Sequence, residues 1–526
     1  MSPGRWLAAE MLVAVAVFGV LVNRAPTMER LLVNGDHGYQ LAAGAELLRG
    51  RLPGVDVLIN YGPMVGVLSA LALRATGNLV GEVLLCAAAW AAAIWLVLRL
   101  TRRSFGALAG VVAGGAAFFG IARFHKWYMW LLPLAALAAV DAANGLPGRR
   151  RWAAGGLVCG LGALLRPELG AAALAALAGL ALADALRARS RVPPASWLPL
   201  ATGFVVFPLA WAATIVAVDG VAPLGRWLAV ISESLSGSIA YWSLPPPPFV
   251  AGDPLSPGSA HALLLRLLPL TELVALLLGG WLYLARHHLE REGRALMGIG
   301  LMGLPWYAHT AYRADLHHLW QGIWPLLLAV PALCSVAIRR TRRPSGTSPA
   351  STALIAASFL LALVSAAALA PIMRQPHVDL APYGRPALAG LAELRRGLAA
   401  VPSHPYAQLV TSIDRLTRPS DRIIVLSYAP QLLVFADRGA SGLCVTYQRG
   451  LFDSPPWRRE HLTQLEQSPP ALVVAPTGFW RLGPDEDFRA TQPEMYEFLR
   501  AHYQTVVDQR ANLMLLAPSD GFRAPS

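Results

Sequence analysis

The chain has 526 residues, of which 55% are hydrophobic and only 14% charged. Soluble domains carry about 25% charged residues, so this deficit excludes a disordered chain and argues against an ordinary soluble enzyme. The formal net charge of +13 raises the question of an anionic partner, and the answer depends on where the basic residues lie. They are almost all arginine, with Lys126 the one lysine.

The first apolar run, Trp6–Val22, follows Arg5. It is long for a signal peptide and lacks a small-residue cleavage site, so an uncleaved first helix is expected. A polar segment follows, about residues 23–78. In it Gly35 and Gly38 flank Asp36 and predict a sharp turn. Leu41, Ala45 and Leu48 recur at helical spacing within Tyr39–Arg49, which predicts a helix lying in the membrane interface. Asp56 precedes an extended run, and Tyr61-Gly62-Pro63 opens a second apolar helix that is short for a full span. By residue type alone, Asp36 and Asp56 read as capping or turn aspartates.

Ten further runs have membrane-spanning character: Leu79–Leu100, Phe105–Ala122, Trp127–Ala143, Trp152–Leu165, Leu169–Leu186, Trp197–Val218, Ala262–Ala285, Ala295–Thr310, Leu319–Ile338 and Thr352–Ile372. The expected fold is therefore an α-helical polytopic membrane protein with about 11 transmembrane helices. Alternate connections carry arginine clusters: Arg99, Arg102 and Arg103; Arg149–Arg151; Arg187, Arg189 and Arg191; Arg286, Arg291 and Arg294; and Arg339, Arg340, Arg342 and Arg343. The positive-inside rule places these clusters and the N-terminus in the cytoplasm, and everything after Ile372 outside. Basic residues in short membrane-flanking connections do not point to nucleic acid. One outer connection, Asp219–Ser259, is a long Pro-rich loop whose Pro245–Pro248 run predicts an extended, polyproline-like stretch.

From about Arg374 the composition turns soluble. Strand-like runs at Arg422–Ser427, Leu443–Tyr447, Ala471–Ala475 and Leu513–Leu516 alternate with helical patterns at Pro386–Ala399, Trp457–Gln467 and Pro493–Tyr503. A small extracytoplasmic α/β domain over 374–526 is expected, following a transmembrane domain over 1–373. It has no Gly-rich phosphate loop, zinc spacing or nucleophile elbow, so support or acceptor recognition is the expected role. Cys86, Cys159 and Cys334 sit in apolar runs and Cys444 stands alone, without metal or disulfide spacing.

The polar groups needing explanation gather on the outer connections. His309, Arg313, Asp315, His317 and His318 lie within ten residues. Arg313 and Asp315 either pair with each other or form, with the histidines, an anion-binding rim. Arg123, His125 and Lys126 mark one more outer boundary, and Arg166 with Glu168 another. Each alone reads as an interface anchor; together they put acids and bases from several loops on one membrane face. Glu272 lies inside a helix and is either a site group or paired within the bundle.

An N-terminal helix, an outer Asp36, the AAGAELLRG of Ala42–Gly50, Asp56, and Tyr61-Gly62-Pro63 before an apolar helix follow in order. This layout resembles the GT-C superfamily of polytopic membrane glycosyltransferases, in particular bacterial members akin to protein mannosyltransferases and lipid A aminoarabinose transferases. Leu165-Arg166-Pro167-Glu168 and Arg313-Ala314-Asp315-Leu316-His317 are similar to further segments of such proteins. The resemblance implies transfer of a hexose or pentose from a polyprenyl-phosphate carrier to a glycan, lipid or protein acceptor. The reaction would take place on the outer face of the cytoplasmic membrane. It makes Asp36 the general base, or a ligand of a divalent ion in members that use one, with Asp56 orienting the acceptor or supporting its loop. Arg313, His317, Lys126 and Arg166 are assigned to the donor phosphate, and His37, Tyr61, Asp315, His318 and Glu168 are further site candidates. Many members have two adjacent acids in this loop; here the pair is Asp36-His37, so no metal cofactor is expected. The alternative functions are a transporter or flippase for a lipid-linked glycan and a non-catalytic scaffold of envelope polysaccharide assembly.

Overall fold

A computed structural model of the chain describes residues 3–23, 35–121, 123–141, 148–188, 194–242, 257–285, 288–341, 349–373, 406–447, 451–483, 487–510 and 512–519. The Pro245–Pro248 stretch, the Pro386–Ala399 helix, and Arg189, Arg191, Arg286, Arg342 and Arg343 lie outside the described residues. The first helices are α1 (Pro3–Asn23), α2 (Gly35–Leu48), α3 (Pro63–Thr76), α4 (Val80–Phe105), α5 (Ala107–Phe119), α6 (Tyr128–Val140), α7 (Gly148–Leu165), α8 (Pro167–Ala188), α9 (Pro194–Asp219) and α10 (Ala222–Trp242). They continue with α11 (Pro257–Leu284), α12 (Glu290–Tyr312), α13 (Leu316–Gly322), α14 (Trp324–Thr341) and α15 (Pro349–Met373). The C-terminal elements are α16 (Ala407–Leu416), β1 (Arg422–Val425), α17 (Gln431–Phe435), β2 (Gly439–Ala440), α18 (Pro455–Gln467), β3 (Leu472–Pro476), α19 (Asp487–Thr491), α20 (Pro493–His502), β4 (Tyr503–Arg510) and β5 (Leu513–Pro518).

Ten of the eleven apolar runs coincide with one helix each, α1, α4 to α9, α11, α12 and α15, and the run Leu319–Ile338 is split at Ile323 between α13 and α14. Among the described residues, six helices are long and apolar enough to cross a membrane by length and composition. The others are shorter or carry more charge, and α5 and α14 are among the shorter apolar helices. The chain is thus built as a multi-pass membrane protein. Where the sequence predicts one long loop, Asp219–Ser259, the structure has helix α10 over Ala222–Trp242.

The chain divides into two compact units. Unit 1 comprises Met1–Leu21, Cys86–Ala210 and Ser243–Pro382. Its centre is rich in fully buried tryptophan: Trp90, Trp130, Trp306, Trp320 and Trp324. Three of these indole N–H groups are bonded to main-chain carbonyls. Trp90 donates to the Phe124 carbonyl at 2.8 Å and Trp306 to the Met129 carbonyl at 2.9 Å. Trp130 reaches the Trp320 carbonyl at 3.2 Å. These bonds tie α4 to the turn that precedes α6, and α6 to α12 and α13.

The arginine-bearing ends of unit 1 are also tied together. Glu10 accepts from Arg99 and Arg102, Asp184 accepts from Arg294 through both oxygens, and Glu290 and Glu292 pair with Arg187 and Arg339. Residues that the sequence assigns to orientation therefore also cross-link helices. Glu272 in α11 is fully buried against Gly303, and neither carboxylate oxygen has a hydrogen-bond partner among the described residues. The pairing within the bundle that the sequence left open for it is not what the structure has.

Unit 2 comprises Val22–Leu85, Trp211–Trp242 and Tyr383–Ser526. The first outer segment and the C-terminal residues thus belong to one compact body. Its five-stranded sheet has the order β2-β1-β3-β5-β4, with β1 parallel to β2 and β3 and the remaining pairs antiparallel. The strands expected at Arg422, Ala471 and Leu513 are present. The run Leu443–Tyr447 is not a strand; its apolar residues are buried in the core, and Cys444 makes only an isolated bridge with Leu58. Leu58 and Val230 share that core with Ile424, Val473 and Leu516.

Candidate functional site

The groups expected to meet a phosphate belong to unit 1 and come from three connections. The first is a 3-10 turn, Phe124–Lys126, which the Trp90 indole grips at the Phe124 carbonyl. This places His125 and Lys126 in buried positions, with Lys126 only 4% exposed. The second is the break between α7 and α8. Pro167 starts α8, and Arg166 Nε donates to Glu168 Oε1 at 2.6 Å.

The third connection joins α12 to α14. Asp315 caps α13, accepting from the His318 backbone N–H at 3.0 Å, and its carboxylate also faces His318 Nδ1 at 2.9 Å. Arg313 Nε donates to the same carboxylate at 2.9 Å. Burial alone would raise the Asp315 carboxyl, but the His318 hydrogen bonds and the Arg313 charge outweigh it and hold Asp315 well below the usual carboxylate range. Burial pushes His318 below its ordinary value, and Lys126 and Arg123 act in the same direction against the pull of Asp315. The His309 and His318 rings are 6.1 Å apart, and Arg166 and Lys126 act electrostatically on His309.

The structure therefore gathers Arg123, Lys126, Arg166, His309, Asp315 and His318 in one electrostatic neighbourhood. Arg313 joins it through Asp315. His317 lies in α13, outside the residues whose side chains are described. His261, on α11, is an addition that sequence spacing did not single out: it lies within electrostatic range of Asp315. Only tertiary folding brings that residue into range.

The candidate base belongs to unit 2. Asp36 stands in the first turn of α2, partly exposed and engaged with a neighbour. A carboxylate there is favoured by the unsatisfied N–H groups of the helix start. The sharp turn expected at Gly35 and Gly38 is absent; both glycines are helical. Their role is close approach. A Cβ on Gly35 would strike the Tyr428 ring, and one on Gly38 would lie 2.7 Å from the Gln431 backbone nitrogen. The start of α2 is thus seated directly on Tyr428 and on α17. The expected interfacial helix is instead buried from His37 to Glu46, leaving Leu48 exposed.

Three further candidates in the first outer segment, His37, Tyr61 and Asp56, have defined contacts. His37 is fully buried, with Nε2 3.1 Å from Glu82 Oε1. Tyr61 stacks edge-on against Tyr39 at 5.8 Å, and Tyr39 Oη accepts from the Asn60 backbone N–H at 2.9 Å. Gly62 caps α3 and Pro63 occupies its first turn, as the Tyr-Gly-Pro pattern predicts. Asp56 accepts from the Leu52 backbone N–H at 2.7 Å, so its side chain closes the 52–56 turn. That geometry matches the loop-supporting alternative for Asp56.

Sequence reasoning missed the bracket that holds this segment. Arg51 donates to Glu46 Oε2 at 2.8 Å, to the Ala440 carbonyl at 2.8 Å, to the Gly442 carbonyl at 2.7 Å and to the Asp56 carbonyl at 2.9 Å. Glu46, fully buried, also accepts from the Ala440 backbone N–H at 3.0 Å. A buried glutamate in an apolar helix was the available signal.

The C-terminal residues show no activated nucleophile among those described. Cys444 Sγ is 3.5 Å from His461 Nε2, but burial pushes the thiol up and the imidazole down, the latter to about 3. Both stay neutral, which is the opposite of a thiolate–imidazolium pair.

No known family profile and no curated protein matches the sequence. Among solved structures, the chain is similar to ArnT from Cupriavidus metallidurans in the apo state. The TM-score is 0.50 at 14% identity, over 99% of each chain. A weaker likeness, TM-score 0.41 at 14% identity, covers 94% of this chain and 72% of the archaeal oligosaccharyltransferase AglB from Archaeoglobus fulgidus, solved with an inhibitory peptide and a dolichol-phosphate. The ArnT match extends from the first helix through the C-terminal sheet, and the chain has the fold of the GT-C polytopic membrane glycosyltransferases.

Proposed function

We propose that this protein is a membrane glycosyltransferase that moves a sugar from a polyprenyl-phosphate carrier to a glycan, lipid or protein acceptor. The observation that carries the reading is the end-to-end fold match to ArnT, covering 99% of both chains. The phosphate-facing role rests on the cationic groups of Lys126, Arg166 and Arg313, which come from separate connections of unit 1.

In this reading Asp36 takes the proton from the acceptor hydroxyl or amine as that atom attacks the anomeric carbon. The anomeric C–O bond to phosphate breaks, and its electron pair leaves on the phosphate oxygen. Lys126, Arg166, Arg313 and His317 neutralise that developing charge, a contribution of about 3 kcal/mol for one well-placed donor. Asp315 pairs with Arg313 and positions its guanidinium. The first outer segment and the phosphate-binding groups face the extracytoplasmic side, and the N-terminus is cytoplasmic.

The test is transfer in detergent solution with purified protein, a polyprenyl-phosphate sugar and a panel of acceptors. Sugar appearing on an acceptor without any membrane barrier supports the transferase. Absence of transfer, together with movement of the same lipid across vesicle membranes, would replace it with transport.

A further inference from the structure

A cavity of about 700 Å³ opens in unit 1 among the arginine-bearing helix ends. It is remote from the groups assigned above to the donor phosphate. Arg291 stands one residue into α12 and Arg313 immediately follows its end. At 1.5 Å rise per residue that separation is about 33 Å along the helix axis.

The lining combines two chemistries. Leu100, Phe105, Leu137, Leu180, Ile299 and Leu328 form an apolar part. The polar part contains both acids and arginines, but its acids are already engaged. Asp184 accepts from Arg294 and from the Tyr283 hydroxyl, Asp141 pairs with Arg103, and Glu290 pairs with Arg187. Arg151 and Arg291 line the same cavity and form no ion pair among the described residues. Three lining acids are thus matched by three arginines, and two further lining arginines are left in excess.

Two hydrogen-bond donors of the lining point the same way. Thr101 is 1% exposed, and its hydroxyl has no hydrogen-bond partner among the described residues. Arg151 Nε is buried and likewise has none. A buried donor without an acceptor is destabilising by about 1–3 kcal/mol, so such groups call for an explanation. A single ligand that is anionic and rich in acceptor oxygens would satisfy the hydroxyl, the buried Nε and the two excess charges together.

We infer that this cavity is a binding site for a phosphate group, presented by an anionic lipid or by a free phosphate. Guanidinium groups match phosphate oxygens in charge and geometry, and the apolar lining accommodates hydrocarbon attached to the phosphate. The site is independent of sugar transfer and of the residues proposed to carry it.

The experiment uses full-length protein in nanodiscs and reads thermal stability. Wild type is compared with Arg151→Gln/Arg291→Gln in phosphatidylcholine discs, in discs containing phosphatidylglycerol, and in phosphatidylcholine discs with added inorganic phosphate. A rise in Tm with phosphatidylglycerol in wild type, lost in the double variant, assigns the site to a lipid headgroup. A rise with inorganic phosphate, lost in the variant, assigns it to a free phosphate. Each arginine removed is expected to weaken the apparent affinity by about tenfold or more. Arg291→Gln alone changes an exposed side chain and carries the comparison if the double variant does not fold. No Tm response in wild type to either source, or an equal response in wild type and variants, would overturn the inference.

Discussion

Replacing Arg51 by alanine should loosen the segment that carries Asp36. Arg51 is 13% exposed in its side chain and meets a Glu46 carboxylate that is 1% exposed. It also satisfies the carbonyls of Ala440, Gly442 and Asp56. Removing one partner of a buried ion pair is destabilising by about 3–5 kcal/mol, because the remaining charge is stranded. Arg49, at 3.4 Å from Glu46 Oε1, and the Ala440 N–H retain part of the compensation, so the low end, about 3 kcal/mol, is expected. That corresponds to a fall in Tm of roughly 6–12 °C for a body of this size. The assay is thermal unfolding in nanodiscs with limited proteolysis of the C-terminal residues. Glu46→Gln keeps a polar acceptor and should fall by less, and the Glu46→Gln/Arg51→Gln pair should be less damaging than the sum of its parts. An Arg51→Ala protein melting within about 1 °C of wild type would refute the stranded-charge reasoning.

Asp36→Asn is expected to insert and fold normally but to lose about 10²–10⁴-fold in transfer rate; near-normal turnover would remove Asp36 from the role of base. Gly38→Ala places a Cβ 2.7 Å from the Gln431 nitrogen and should destabilise by about 1–3 kcal/mol, read as a lower Tm; an unchanged Tm would contradict the close seating of α2 on α17. His461 is held down to about 3 by burial and by Arg226, so its neutral form stabilises the fold above the ordinary value of 6.5, and that contribution is lost as pH falls from 6.5 towards 3. Between pH 7.5 and pH 5 its share of the loss is about 2 kcal/mol, and His461→Gln should flatten that part of the stability profile; an identical profile in the variant would show that His461 is not the titrating group. Transfer should survive EDTA, since the Asp36-His37 pair lacks the second acid of a paired site; loss reversed by a divalent ion would assign a metal to the reaction.

The sequence by itself determined the apolar helices, because an apolar run in lipid must satisfy its main-chain groups within itself. It also determined the Tyr-Gly-Pro start of α3, where proline's fixed φ and missing N–H suit only a helix's first turn. It brought attention to Lys126, Arg166, Arg313 and Asp315 because charges at membrane boundaries need a reason. It misread Gly35 and Gly38, since glycine serves a turn and a close approach equally well and the difference lies in Tyr428 and Gln431, nearly four hundred residues away. It passed over Arg51, whose partners at Ala440 and Gly442 are likewise distant in the chain. It read sixteen arginines as a topology signal, whereas the structure engages several of them in ion pairs and leaves Arg151 and Arg291 lining a cavity. Local patterning fixes elements because periodicity and turn chemistry act over a few residues. Which polar group meets which partner is a matter of long-range contact, and only the tertiary structure decided it.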